Sequence, residues 1–280
     1  MNQAVPSRSA LRVALRRAAH QIYDSPVVFS DPVAVPILGE TYREELRRTP
    51  VRPDRPFSVA LRAFLVARSR YAEDALNRAV ATGVEQYVLL GAGLDTFAYR
   101  NPWPQLRVFE VDHPATQQWK CELLQRSGLA IPASLSYVPV DFERDSLPER
   151  LAAAGFDRRK PSFFAWLGVV PYLTLDAFRS TLGFIAAQPA GSGVVFDYGQ
   201  PRAVLPHLEQ LGHDSLAARV ALAGEPFQLF FTPEEIAAEL ADFRSIEDIG
   251  RETINARYFS GRSDQLMVRG EAGRLLCAWR

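Results

Sequence analysis

Three clusters of glycine and acid, each closing an apolar run, carry the chemistry this chain is equipped for. Gly91-Ala92-Gly93-Leu94-Asp95-Thr96 follows the run EQYVLL. Glycine turns sharply and leaves room for a ligand where a Cβ would stand. The pattern is GxG without the third glycine of a dinucleotide fingerprint, because Phe97 and Ala98 follow. Asp95 stands where a pyrophosphate would approach helix-end amides, so it opposes an anion and tolerates a cation. About twenty residues later, VFEVDHP holds Glu110 and Asp112 on one face of a strand, with Val111 opposite. Asp112 lies nearer the tip and is the residue expected to accept from ribose hydroxyls, although an acid before His-Pro could also cap a helix. VPVDF then ends a third run with Asp141, suited to an adenine amino group, and Phe142, suited to packing on the ring. A turn acid and a core phenylalanine are their plainer roles. Together these tips outline a nucleoside pocket with no phosphate site.

Elements must hold these tips side by side. Ser9 to Tyr23 has helical periodicity with a basic face and an apolar face, and Ser58 to Thr82 reads as one long helix stopped by Gly83. Pro-rich connectors separate them, so residues 1–82 are expected to form a helical cap on a core of residues 83–280. From Val84 onward, strand and helix alternate. EQYVLL, LRVFEV, SLSYVPV, SFFAWLGVV and GVVFDYG read as buried strands, with FRSIEDIG and RLLCAWR as late ones and DQLMVRG as a further candidate. Helices are expected after Pro114, over LPERLAAAG, after Thr174 and after Thr232. The segment from Gln200 to Phe231 has no assigned element, and its run PFQLFF could be a buried strand. The pattern predicts an α/β fold, a doubly wound, mostly parallel sheet.

Composition narrows the function. The 280 residues hold 32 Lys plus Arg against 32 Asp plus Glu, so the net charge is zero and no broad field attracts nucleic acid or anionic lipid. Cys121 and Cys277 form no disulfide framework, and no spacing suggests structural zinc. No apolar run would cross a bilayer, and the first residues lack a signal-peptide core, so a cytoplasmic protein is expected.

A phosphate-free nucleoside pocket that tolerates positive charge suits S-adenosylmethionine better than NAD. The same residues carry a family resemblance. VLLGAGLDTFAYR, VFEVDHPATQQWK, VPVDF and WLGVVPYL resemble the leucine carboxyl methyltransferase superfamily, whose bacterial members are class I S-adenosylmethionine-dependent methyltransferases, many linked to O-methylation in polyketide and other natural-product pathways. The resemblance runs from Arg68 to Gly199 and implies a seven-stranded sheet with a reversed final strand. It places Gly91 and Gly93 on the cofactor loop, Asp112 on the ribose and Asp141-Phe142 on the adenine. Arg68, in ARSRY, falls on an arginine that binds the methionine carboxylate, a role that suits a bidentate guanidinium. Two positions depart from the family. Leu167 stands where a cofactor-contacting glutamate is usual, and Phe97 replaces a common arginine.

Methyl transfer is an in-line displacement that needs alignment and no metal. A carboxylate acceptor needs no base, whereas a hydroxyl benefits from one. None of His20, His113, His207 and His213 lies in a base motif, so no catalytic residue is named. Tyr172 and Tyr198, at the ends of the fourth and fifth strands, are candidates for the acceptor side. The expected partner is a small, moderately hydrophobic methyl acceptor. Carboxyl methylation of a protein C-terminus and a cofactor-binding protein without turnover remain open.

Overall fold

Strands enclosed on both faces need apolar side chains at nearly every position, and the central runs meet that demand. In a computed structural model describing residues 7–48, 56–141, 144–222 and 224–280, all five residues are buried both in β1 (Gln86–Leu90) and in β4 (Ser162–Trp166). They sit centrally in a seven-stranded sheet with β2 (Arg107–Asp112), β3 (Leu135–Pro139), β5 (Gly193–Gly199), β6 (Ser245–Ile249) and β7 (Gly273–Trp279), ordered β3-β2-β1-β4-β5-β7-β6. β1 to β5 pair in parallel, and β7 inserts antiparallel between β5 and β6. The mostly parallel sheet and its reversed strand agree with the expectation from the sequence.

Strand alternation sorts side chains onto two faces. On one, Tyr87, Leu89, Val108, Phe163, Ala165, Val195 and Leu275 pack beneath the long helix α3 (Pro56–Ala81), which buries Ala63, Val66, Ala67 and Tyr71 against them. On the other, Val88, Phe109, Phe164, Trp166 and Phe196 pack under α6 (Leu175–Ala186) and α8 (Pro233–Glu239). Thr174 caps α6 by accepting from Ala177 N, and Thr232 with Glu235 forms a reciprocal capping box on α8. α4 (Pro114–Arg126) and α5 (Leu147–Ala153) follow β2 and β3.

The helices expected to form a cap do not act as one unit. α3 is a layer of the core, whereas α1 (Arg8–Tyr23) and α2 (Gly39–Arg48) share a smaller cluster with Leu94 and Leu123, beside the sheet. A buried charge lock ties α1 to α3. Arg62 Nε and Nη2 donate to Asp24 Oδ2 and Oδ1 at 2.7 and 2.8 Å. His20 Nε2 accepts from Val28 N at 3.0 Å, so Nδ1 carries the proton and donates to Asp24 Oδ2 at 2.8 Å.

Three departures from the sequence reading have physical causes. β4 ends at Trp166, because Gly168 adopts a φ of +71° and the chain turns. DQLMVRG joins no strand, since Asn255 brackets Val268 with its side-chain amide, accepting from Val268 N and donating to Val268 O, both at 2.9 Å. PFQLFF is extended outside the ladder, with Gln228 N and Leu229 N donating to Pro171 O and Phe231 N to Gly199 O. Three helices lie outside the sequence reading, namely α2, α7 (His207–Leu222) and α9 (Arg251–Tyr258).

Candidate functional site

The GxG loop is built by the strand beside it. Gly91 N and Ala92 N both donate to Val111 O, at 2.8 and 3.0 Å, and Asp95 N closes the turn on Ala92 O. Gly91 has φ +68° and Gly93 φ +52°, conformations that favour glycine. A Cβ on Gly91 would stand 2.4 Å from Val169 Cγ2, and one on Gly93 would stand 3.1 Å from Ala10 Cβ. The loop therefore lies in contact with the turn after β4 and with the first turn of α1.

Asp112 is half-buried at the tip of β2 and reaches this loop. Its Oδ2 accepts from Gly93 N at 2.5 Å and its Oδ1 from His113 N at 2.6 Å. Burial raises its pKa above the ordinary aspartate value against the pull of these two donors. The capping role left open for Asp112 is filled by His113, whose ring Nδ1 accepts from Ala115 N at 3.2 Å. Each carboxylate oxygen keeps a further lone pair. Glu110 is committed deeper in the same face, where Lys120 Nζ donates to its Oε2 at 2.6 Å.

β3 continues beside β2, with Val140 N donating to Asp112 O at 2.9 Å. Pro139 pairs with Asp112, so alternation sets Asp141, two residues on, toward the same face. Asp141 is itself half-buried, and its backbone carbonyl accepts from Arg144 N and Asp145 N. Phe142 lies outside the described residues.

Arg68 projects from α3 over the tips of β4 and β5. Its Nη1 donates to Asp197 Oδ2 at 2.8 Å, and Gly168 N donates to Asp197 Oδ1 at 2.5 Å. Arg68 and Asp197 are each 6% exposed, and Arg68 Nε is buried without a hydrogen-bond partner. Asp197 shares parity along β5 with Val195, hence the α3 face with Asp112 and Asp141. Sequence reasoning missed Asp197, although the signal was available: it is the acid near the tip of the apolar run GVVFDYG, the feature that singled out Asp112 and Asp141.

Tyr172 and Tyr198 part company. Tyr172 lies in the turn after β4, where its hydroxyl is 3.5 Å from Ser9 Oγ and its ring packs on Phe227 with centroids 5.1 Å apart. Ser9 Oγ in turn donates to Glu225 Oε2 at 2.5 Å, so α1, this turn and the 224–231 segment meet here. Tyr198 is buried on the opposite sheet face, where its hydroxyl donates to Asp248 Oδ2 at 2.7 Å. His207 is exposed, whereas His213 packs on Phe230, 5.3 Å between centroids. Asp95 is committed to other partners: Phe97 N donates to its Oδ1 at 2.8 Å, and Arg17 Nη1 lies 3.4 Å from its Oδ2.

Glycines at β1, acids at the tips of β2, β3 and β5, and an arginine above β5 all front one sheet face. The fold is that of a class I methyltransferase sheet, and this face is its candidate ligand-binding end. Comparison with known proteins is consistent with that class. The profile of the leucine carboxyl methyltransferase family matches residues 10–186, and the chain belongs to that family. A Bacillus subtilis protein, YktD, provisionally named an S-adenosyl-L-methionine-dependent methyltransferase, is 32% identical over 291 residues, covering 95% of each chain. Among solved structures, a provisionally named methyltransferase of Thermobifida fusca superposes with a TM-score of 0.61 at 17% identity, covering 100% of this chain and 96% of that one. A DUF574 family protein of Streptomyces avermitilis gives 0.58 at 18%, covering 96% and 97%. These two show the fold.

Proposed function

We propose that this protein is an S-adenosyl-L-methionine-dependent methyltransferase that O-methylates a small, moderately hydrophobic metabolite. The observation that carries the reading is Asp112, held by Gly93 N on a loop with no third glycine and no phosphate cradle, on the same face as Arg68. The residues present fit the donor. Asp112 has lone pairs for ribose hydroxyls, Asp141 stands beside it for the adenine amino group, and Gly91 and Gly93 let the loop turn tightly between them against Val169 and Ala10. Arg68, with its Nε unpartnered, would hold the amino-acid carboxylate.

When bound, the donor supplies an electrophilic methyl on a sulfonium. The chain's own part is to fix the nucleoside through Asp112, to neutralise the tail through Arg68, and to exclude water under α1. Tyr172, Phe227 and Phe230 line the acceptor side suggested by the meeting of α1 with the 224–231 segment. The Tyr172 hydroxyl stays protonated at neutral pH, since burial raises its pKa, and it can orient an acceptor oxygen as a donor. Incubation of the purified protein with methyl-labelled S-adenosylmethionine and a small-molecule extract tests this reading. Label in an organic-soluble metabolite is the expected result. Label in a base-labile macromolecular fraction would favour methylation of a protein C-terminus, and no label despite bound donor would favour a protein without turnover.

A further inference from the structure

We propose that Asp197 holds the α-ammonium of the methyl donor's amino-acid tail, completing with Arg68 a socket for a zwitterion. The inference deepens the proposed function and rests on it. A buried ion pair is expensive to desolvate, and an apolar pair of similar volume would often be as stable. Arg68 and Asp197 nevertheless occupy the apolar α3 face, each 6% exposed. They are also incompletely used. The guanidinium donates to Asp197 through Nη1, while its Nε is buried without a partner. Asp197 takes one donor on each oxygen, Gly168 N and Arg68 Nη1, which leaves a lone pair on each.

Position points to the same ligand. The register ends with Trp166 against Phe196, so Leu167 and Asp197 are the next residues beyond that pairing on the two chains. Leu167 is apolar, and the carboxylate at this place comes from β5. β1 lies between β2 and β4, so Asp112 and Asp197 flank the Gly91–Gly93 loop from opposite sides on one face. A ligand with ribose at Asp112 that crosses the loop would present its far end to Arg68 and Asp197. An α-amino acid carries a carboxylate and an ammonium on one carbon and complements the pair without adding net charge. A Cβ on Gly168 would stand 2.7 Å from Arg68 Nη1, so a side chain there would displace the guanidinium from Asp197.

Calorimetric titration of the full chain with three ligands tests the assignment: S-adenosylhomocysteine, its analogue lacking the α-amino group, and 5′-methylthioadenosine, which lacks the whole amino-acid tail. The wild type should bind S-adenosylhomocysteine about tenfold to a hundredfold more tightly than the deaminated analogue. Asp197→Asn should erase that preference and leave affinity for 5′-methylthioadenosine within about twofold. Retention of the preference in D197N, or equal losses for all three ligands, would overturn the assignment, the second because it marks a purely structural role. Should D197N not fold, the wild-type comparison still decides, since equal affinity for the aminated and deaminated ligands contradicts an ammonium acceptor. A wild type that binds none of the three removes the proposed function itself, a result distinct from binding without amine discrimination.

Discussion

Replacing Asp112 by asparagine removes one charge and one acceptor from the centre of the site. The carboxylate now accepts from Gly93 N at 2.5 Å through Oδ2 and from His113 N at 2.6 Å through Oδ1. An asparagine has a single carbonyl oxygen, so one of these donors would face its NH2 group instead. Hydrogen bonds to a charged acceptor contribute about 1.5–3 kcal/mol and neutral ones about 0.5–1.5 kcal/mol. Weakening two ribose contacts in this way should cost about 2 kcal/mol, or about thirtyfold in affinity. The loss should be the same for S-adenosylhomocysteine and 5′-methylthioadenosine, which share the ribose, and should vanish for a 2′,3′-dideoxyribose analogue. Calorimetry on both proteins with the three ligands makes a double-mutant cycle. A Asp112→Asn loss that persists with the dideoxy ligand, or an unchanged affinity for all, would refute the ribose role.

Further outcomes follow from the buried polar contacts and the loop. Asp24→Asn should destabilise the fold by about 3–5 kcal/mol at neutral pH by leaving Arg62 buried without its partner. Burial opposes ionisation of Asp24, but hydrogen bonds from His20 and Arg62 prevail and hold its pKa below the ordinary aspartate value of 3.8. Its contribution is therefore present above pH 3.8 and is lost as pH falls through the lower folded value, so the wild-type and D24N stabilities in denaturant titrations should converge at acid pH. Gly91→Ala should cost about 2–5 kcal/mol, from a left-handed backbone and a Cβ driven into Val169. Gly83→Ala, with φ +97° and nothing within 4 Å, should cost only the backbone part, and equal melting temperatures for the two variants would contradict the close approach.

The sequence made the central strands and their tips legible because parallel strands buried on both faces must be continuously apolar, so an acid or glycine in such a run stands out. Helices with a strong start were equally plain, as with the Thr174 and Thr232 caps. α7 was not, because Leu208, Leu211 and Leu222 are exposed and its apolar pattern does not track burial. α9 was hidden by its polarity, with Ile254 as its buried residue. Asp95 shows the limit of local reasoning in the site. Its position in the loop suggested an acid facing the ligand, but its partner Arg17 lies 78 residues away on α1, and no local pattern reveals that pairing. Asp197 differs, since the strand-tip rule applied to the fifth run would have found it.

The most direct test of a socket for the adenosine and amino-acid tail of the methyl donor is a crystal structure of the protein grown with S-adenosylhomocysteine. The account predicts the ribose hydroxyls on Asp112, the adenine beside Asp141 and the amino-acid tail between Arg68 and Asp197. Density for the ligand elsewhere on the chain, or a tail directed away from Arg68, would contradict it.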